Sequence, residues 1–206
     1  MKISLIDYGA GNLPSVERAL HRLVVPTGRV DSAEGLTNAS ALILPGVGHY
    51  AALIRALDKN GLRESLLDAI ARGIPFLGIC LGLQALYQMS EEAPELQGLK
   101  IFSGCVRGLS GNVKLPHMGW NQVQARNGSR LLEGIDPAAY FYFAHSYAAH
   151  PHAPVNAQPE VQATCEYGSE FVAVAERRNI FAVQFHPEKS GGPGQRVLQN
   201  FLRIAG

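Results

Sequence analysis

Cysteine, tryptophan and net charge are all scarce in this sequence. Three cysteines, Cys80, Cys105 and Cys165, and one tryptophan stand among 206 residues. The odd cysteine count and the lack of paired zinc-type spacing exclude a disulfide framework and a cysteine-built zinc cage. No charged-then-apolar signal segment precedes the first apolar run, so free thiols in a reducing cytoplasm are expected. Eighteen basic against 17 acidic side chains leave a formal charge of +1, which gives no electrostatic footprint for nucleic acid or an anionic membrane. No apolar stretch approaches the roughly 20 residues that span a bilayer, and neither repeat nor low-complexity tract appears. Any partner must be argued from a site.

What the chain does have is apolar content: 47% of it is hydrophobic, enough for one sizeable core, and residues 1–206 read as a single domain. "KISLID" is a short buried run ending in a glycine-rich loop, and "LPSVERALHRL" sets Leu13, Val16, Leu20 and Leu23 on one helical face. "ALILPG" (Ala41–Gly46) reads as a second buried strand, Tyr50–Asp58 and Leu62–Arg72 carry helical spacing, and "PFLGIC" follows as a strand. Apolar strands alternating with helices point to an α/β fold with a mostly parallel central sheet flanked by helices. In the second half, "VKLPHMGWNQV", "AYFYFAHSY", "VQATCEYG" and the pair "FVAVAE" and "IFAVQFH" are strand-like with few helices between, which predicts antiparallel strands added to the parallel core. "GQRVLQNFLRI" closes the chain as a helix.

An arbitrary cysteine is more often a small buried hydrophobe than a reagent. The context of Cys80 argues otherwise. A buried strand ending in Gly78-Ile79-Cys80-Leu81-Gly82 and feeding helix-forming residues is the thiol counterpart of the Gly-x-Ser-x-Gly elbow, whose glycines permit a strained turn that lifts the middle side chain above the sheet. A helix starting just after Cys80 would add dipole potential favouring the thiolate. Cys105 and Cys165 lie in strand-like runs without glycine brackets and read as structural.

A cysteine nucleophile needs a base and a group to orient it. Among seven histidines, His186 ends the "IFAVQF" strand in "QFHPEK", with Glu188 two residues on. If the chain stays extended there, the period of two puts both side chains on one face and lets the carboxylate fix the imidazole tautomer. His-Pro-Glu alone is weak evidence; beside the Cys80 elbow it is strong.

Two rival signals are weaker. Gly46-Val47-Gly48-His49-Tyr50-Ala51 follows a strand and matches a dinucleotide fingerprint, but the ribose-binding acid expected about 20 residues on would fall at Glu64 or Asp68, inside a helix. In "GAGN", Pro14 takes the place of the third glycine. His145, His150 and His152 could suggest a metal, yet no carboxylate or cysteine completes the set and prolines flank the loop. His150 and His152 read as exposed loop residues, and His145 as a buried or site-lining histidine. No metal and no cofactor is expected.

"GICLGLQ" and "QFHPEKSG" together resemble the class I (triad) glutamine amidotransferases, and the resemblance runs over nearly the whole chain. Within that class, "DYGAGN" (Asp7–Asn12), "LPGVG" (Leu44–Gly48), "HMGWN" (His117–Asn121), "YFAHSY" (Tyr142–Tyr147) and "ATCEYG" (Ala163–Gly168) are similar to the glutaminase subunits of imidazole glycerol phosphate synthases. The resemblance implies that Cys80, His186 and Glu188 hydrolyse L-glutamine, with Leu81 N–H and the Val47 and Gly48 N–H groups forming an oxyanion hole. It implies that Gln84, Glu92, His145, Ser146 and Tyr147 hold the glutamine. It also implies a heterodimer with a separate (β/α)8 cyclase subunit that uses the ammonia in histidine biosynthesis, with Asn12, Met118, Trp120 and Asn121 at the interface. A glutaminase serving another synthase, and a non-catalytic amidotransferase-like binding module, remain as alternatives. The intact set Cys80, His186 and Glu188 favours catalysis.

Overall fold

The computed structural model describes residues 2–126, 128–151 and 160–206. The first half runs β1 (Ile3–Ile6), α1 (Leu13–Arg22), β2 (Thr27–Val30), α2 (Ala33–Thr37), β3 (Ala41–Gly46), α3 (Tyr50–Lys59), α4 (Leu62–Ala71), β4 (Phe76–Cys80) and the single turn α5 (Leu81–Gln84). Then follow β5 (Met89–Ser90), β6 (Cys105–Gly108), β7 (His117–Gln122), β8 (Gln124–Ala125), β9 (Tyr140–His145) and β10 (Tyr147–Ala149). The chain closes with β11 (Val161–Tyr167), β12 (Ser169–Arg177), β13 (Ile180–Val183), a 3-10 turn over Pro187–Lys189, and α6 (Gly191–Ala205).

The central sheet has the order β2-β1-β3-β4-β13-β12-β11-β8. Its first five strands are parallel and the remaining three join antiparallel. In β3 the alternation of the pleat is explicit: Leu42 and Leu44 enter one apolar cluster with Leu53, Leu57 and Leu66 of α3 and α4. Ala41 and Ile43 enter the opposite cluster with Leu13 and Leu20 of α1 and Val197 and Phe201 of α6. Helices thus cover both faces, which is why the parallel strands read as continuous apolar runs. No helix among the described residues is long and apolar enough to cross a membrane.

Three expectations need correction. The strands "HMGWNQ" and "YFYFAH" do not extend the central sheet; β7 and β9 pair with each other in a separate antiparallel ribbon, and β10 joins β6 and β5 in a third small sheet. The helix after Cys80 is only one turn long, so little dipole reaches the sulfur. The chain also does not stay extended through Glu188, because Pro187 opens a 3-10 turn. The strand β2 and helix α2 have no counterpart in the sequence reading. "TGRV" contains a glycine and a half-exposed arginine and pairs only with β1 at the sheet edge, so it carries no apolar signature.

Candidate active site

β1, β3, β4 and β13 are neighbouring parallel strands, so their carboxyl ends lie along one end of the sheet. That end is where ligands of open parallel sheets bind. Gly46 aligns with Cys80 and Val183 with Ile79, so the loops after these strands emerge side by side.

Cys80 has φ +54° and ψ −106°, a conformation that L-residues avoid and that surrounding structure must impose. The neighbouring glycines make it possible. A Cβ on Gly78 would lie 2.7 Å from the Gly82 carbonyl oxygen, and one on Gly82 would run into the Leu44 carbonyl. The elbow is therefore built as the sequence spacing predicts, with Cys80 itself 5% exposed at the base of a cavity.

The His186 imidazole faces Cys80, and its Nδ1 is 2.9 Å from Glu188 Oε1. The pairing expected from an extended strand is made by the 3-10 turn instead, which curls Glu188 back under the ring. Burial works against a charged His186, but the neighbouring Cys80 sulfur and then the Glu188 carboxylate, each by charge and hydrogen bonding, outweigh it and raise the imidazole well above its ordinary value. The carboxylate accepts the Nδ1 proton, which leaves Nε2 for the sulfur. Backbone contacts fix the ring: His186 N–H donates to the Tyr142 carbonyl at 2.8 Å, and the Ser190 hydroxyl donates to the His186 carbonyl at 2.7 Å.

A cavity of about 210 Å³ opens above the sulfur, and its walls include Val47, Gly48, Leu81, Gln84, Glu92 and the 145–147 segment. Sites for drug-sized ligands span roughly 300–1,000 Å³, so this one suits a small metabolite. All three expected oxyanion residues and all five expected substrate residues line it. Leu81 N–H, at the first position of a helical turn, lacks an intrahelical acceptor. Glu92 Oε2 accepts from Tyr50 N–H at 2.7 Å, which braces the carboxylate and leaves Oε1 for a ligand. His145 Nδ1 donates to the Tyr147 carbonyl at 3.0 Å, while its Nε2 is buried without a partner. Burial above all, and then His117, push its pKa down to about 3, so it is a neutral acceptor. It lines the site as expected, but it is not a fully satisfied core histidine.

The Val47 N–H faces the buried Tyr8 hydroxyl without reaching full hydrogen-bond geometry. Burial dominates there and holds Tyr8 up at about 12, with Val47 pulling the other way. Tyr8 comes from the "DYGAGN" loop, and sequence reasoning assigned it no role. Gln184 was missed as well: its Nε2 lies 3.5 Å from Cys80 Sγ. The signal was a lone amide in the apolar run "IFAVQFH", just past the end of β13 and two residues before His186.

The expected partner residues divide. Met118 and Trp120 are 65% and 55% exposed on one face of β7, and Trp120 meets Tyr142 edge to face at 5.9 Å. Asn121 has the opposite strand parity and gives its amide to the Glu166 carbonyl at 3.1 Å, so it braces β11 and does not share that face. Asn12 is half-buried and precedes α1, where its carbonyl accepts from Ser15 N–H. His150 is half-buried, not exposed, because β10 carries it beside β6, and burial lowers its pKa. His152 lies outside the described residues. Among the described residues, no three metal-ligating side chains converge.

The profile of the family Glutamine amidotransferase class-I matches residues 4–205. The chain is similar to the imidazole glycerol phosphate synthase subunit HisH of Methanothermobacter thermautotrophicus, with 46% identity over 202 residues and 98% of each chain covered. With the same subunit of Moorella thermoacetica it shares 45% identity over 199 residues, covering 97% of this chain and 93% of the relative. A crystal structure of a glutamine amidotransferase superposes with a TM-score of 0.78 over 99% of this chain and 98% of its own, at 20% identity, a likeness of fold alone.

Proposed function

The chain belongs to the class-I glutamine amidotransferases, and on that premise we propose that it is the glutaminase subunit of an imidazole glycerol phosphate synthase, one domain working in the cytoplasm. The observation that carries this reading is Cys80 at the carboxyl end of β4, lining a cavity of metabolite size, with the buried His186–Glu188 pair against it.

In this reading L-glutamine enters with its side-chain carboxamide over the sulfur. Glu92 Oε1 and the polar 145–147 wall hold its charged end. Cys80 Sγ attacks the carboxamide carbon, and the C=O π electrons move to oxygen. His186 Nε2 gives its proton to the nitrogen, the C–N bond breaks, and ammonia leaves. A water molecule, deprotonated by His186, then attacks the thioester and releases glutamate. Glu188 keeps the imidazole in the one useful tautomer and stabilises its positive charge.

The developing oxyanion takes N–H groups from Leu81 and from the Val47–Gly48 loop. Removing one such donor typically costs about a hundredfold to a thousandfold in rate. Val47 is 37% exposed and its N–H faces Tyr8, a geometry that supports a resting state in which the loop must turn to complete the hole. The ammonia is used by a separate cyclase subunit, a (β/α)8 barrel forming a heterodimer with this chain. Met118 and Trp120 form the apolar centre of that contact, a type of residue enriched in interface hot spots. Tyr142 connects Trp120 to the site, since its ring meets the indole and its carbonyl holds His186 N–H.

Glutamate release by the purified chain, alone and with a cyclase subunit and its nucleotide substrate, tests the proposal. Low activity alone and a steep rise in the loaded complex are expected, with Trp120→Ala weakening the complex while the subunit stays folded. A full rate alone, with rate and sedimentation unmoved by the cyclase, would overturn it.

A further inference from the structure

Ile79 pairs with Val183 in the parallel register, so the next residue on each strand, Cys80 and Gln184, stand side by side where β4 and β13 end. Gln184 is fully buried. Its Nε2 lies 3.5 Å from the Cys80 sulfur, and its Oε1 accepts from Gln84 Nε2 at 3.2 Å. Gln84 Nε2 also donates to the Tyr147 carbonyl at 2.7 Å. That carbonyl fixes the direction of the whole relay, because a carbonyl oxygen only accepts. Gln84 must turn its NH2 towards it, and both of those protons are then used. Gln184 must therefore turn its oxygen to Gln84 and its NH2 to the sulfur. Neither amide can flip without losing hydrogen bonds in a buried place, where unpaired polar groups are costly.

We propose that Gln184 is a further catalytic residue, an N–H donor that holds the Cys80 sulfur as thiolate and positions it opposite His186. The proposal deepens the glutaminase reading and rests on it. A donor at sulfur stabilises the anion more than the thiol, so the amide raises the fraction of nucleophile ready at neutral pH. When the sulfur acylates it loses its charge and the bond weakens, so the relay serves the attack and not the thioester. The relay also gives Gln84 a sharper role, since with both N–H groups used it offers glutamine only its Oε1.

The test is the pH dependence of Cys80 alkylation by iodoacetamide in the full chain, with Cys80→Ala as the blank. Gln184→Met removes the donor at similar size. Its alkylation rate at neutral pH should fall about tenfold, about 1.4 kcal/mol, and the midpoint should move up by about one unit while the high-pH plateau stays. A purely structural role for the buried amide would lower thermal stability and leave the midpoint in place, and that result overturns the proposal. Should Gln184→Met fail to fold, Gln84→Met frees the Gln184 amide to turn and should move the midpoint the same way by less; no movement there also overturns it. The glutaminase reading fails differently: the midpoint would still move in Gln184→Met, while the wild-type chain with its cyclase and nucleotide releases no glutamate.

Discussion

Glu188→Gln separates holding the imidazole from moving its proton. The carboxylate is 2% exposed, lies 2.9 Å from His186 Nδ1, and has a second oxygen buried without a partner. The amide can still accept the Nδ1 proton through its oxygen, so the tautomer survives. It removes the negative charge, however, and places an NH2 where the unpartnered oxygen sits. Hydrogen bonds to charged groups are worth about 1.5–3 kcal/mol, and about 1.4 kcal/mol is tenfold in rate, so kcat in the cyclase complex should fall about 10- to 200-fold. The sign of the pH effect follows from the causes of the His186 shift. Glu188 supplies two of its upward contributions, so without it the imidazolium is less stable and the alkaline limb of the rate profile should move to lower pH. Steady-state glutamate release against pH measures both quantities. His186→Asn should lose more than Glu188→Gln, and the two losses should not add, since triad members act as a unit. An alkaline limb that stays put, or a loss from Glu188→Gln equal to that from His186→Asn, would refute the division of roles.

Cys80→Ala should abolish hydrolysis and leave the fold intact, whereas Cys105→Ala and Cys165→Ala should stay active; circular dichroism and the glutaminase assay together decide. Cys165 is buried in the core, so its truncation should cost about 1 kcal/mol in a urea titration. Burial pushes His117 down to about 4 and, with His117 beside it, His145 down to about 3. The unfolded chain binds these protons near 6.5, so stability is fully present above pH 6.5 and falls on acidification towards those folded values. At pH 5 the loss should be about 2 kcal/mol for each ring. His186 is raised, so its contribution runs the other way: it grows as pH falls from 7.5 to 6.5 and levels off below, which offsets part of the loss from the two rings without cancelling it. Equal urea midpoints at pH 7.5 and 5 would contradict this.

The site was largely legible in the sequence because its backbone demands are local. Gly78 and Gly82 mark a turn that tolerates no Cβ, and His186 and Glu188 sit two residues apart whether joined by a strand or by the 3-10 turn that is found. The parallel core was legible too, since strands covered on both faces need unbroken apolar runs. What stayed hidden depends on pairing at long range. β7 and β9 alternate like any half-buried strands, and nothing in their pattern shows that they pair with each other in preference to the central sheet. β2 carries no apolar signature at the sheet edge. Gln184 reads as an interruption in an apolar strand until Cys80 and Gln84 are placed on either side of it, residues about 100 positions away.

The proposed chemistry puts the glutamyl group on Cys80. Acid quench of the cyclase-bound, nucleotide-loaded protein during turnover, followed by peptide mass spectrometry, tests it most directly. A thioester-linked glutamyl adduct on the peptide carrying Cys80 is expected, absent in Cys80→Ala. An adduct on another residue, or continued hydrolysis by Cys80→Ala, would contradict it.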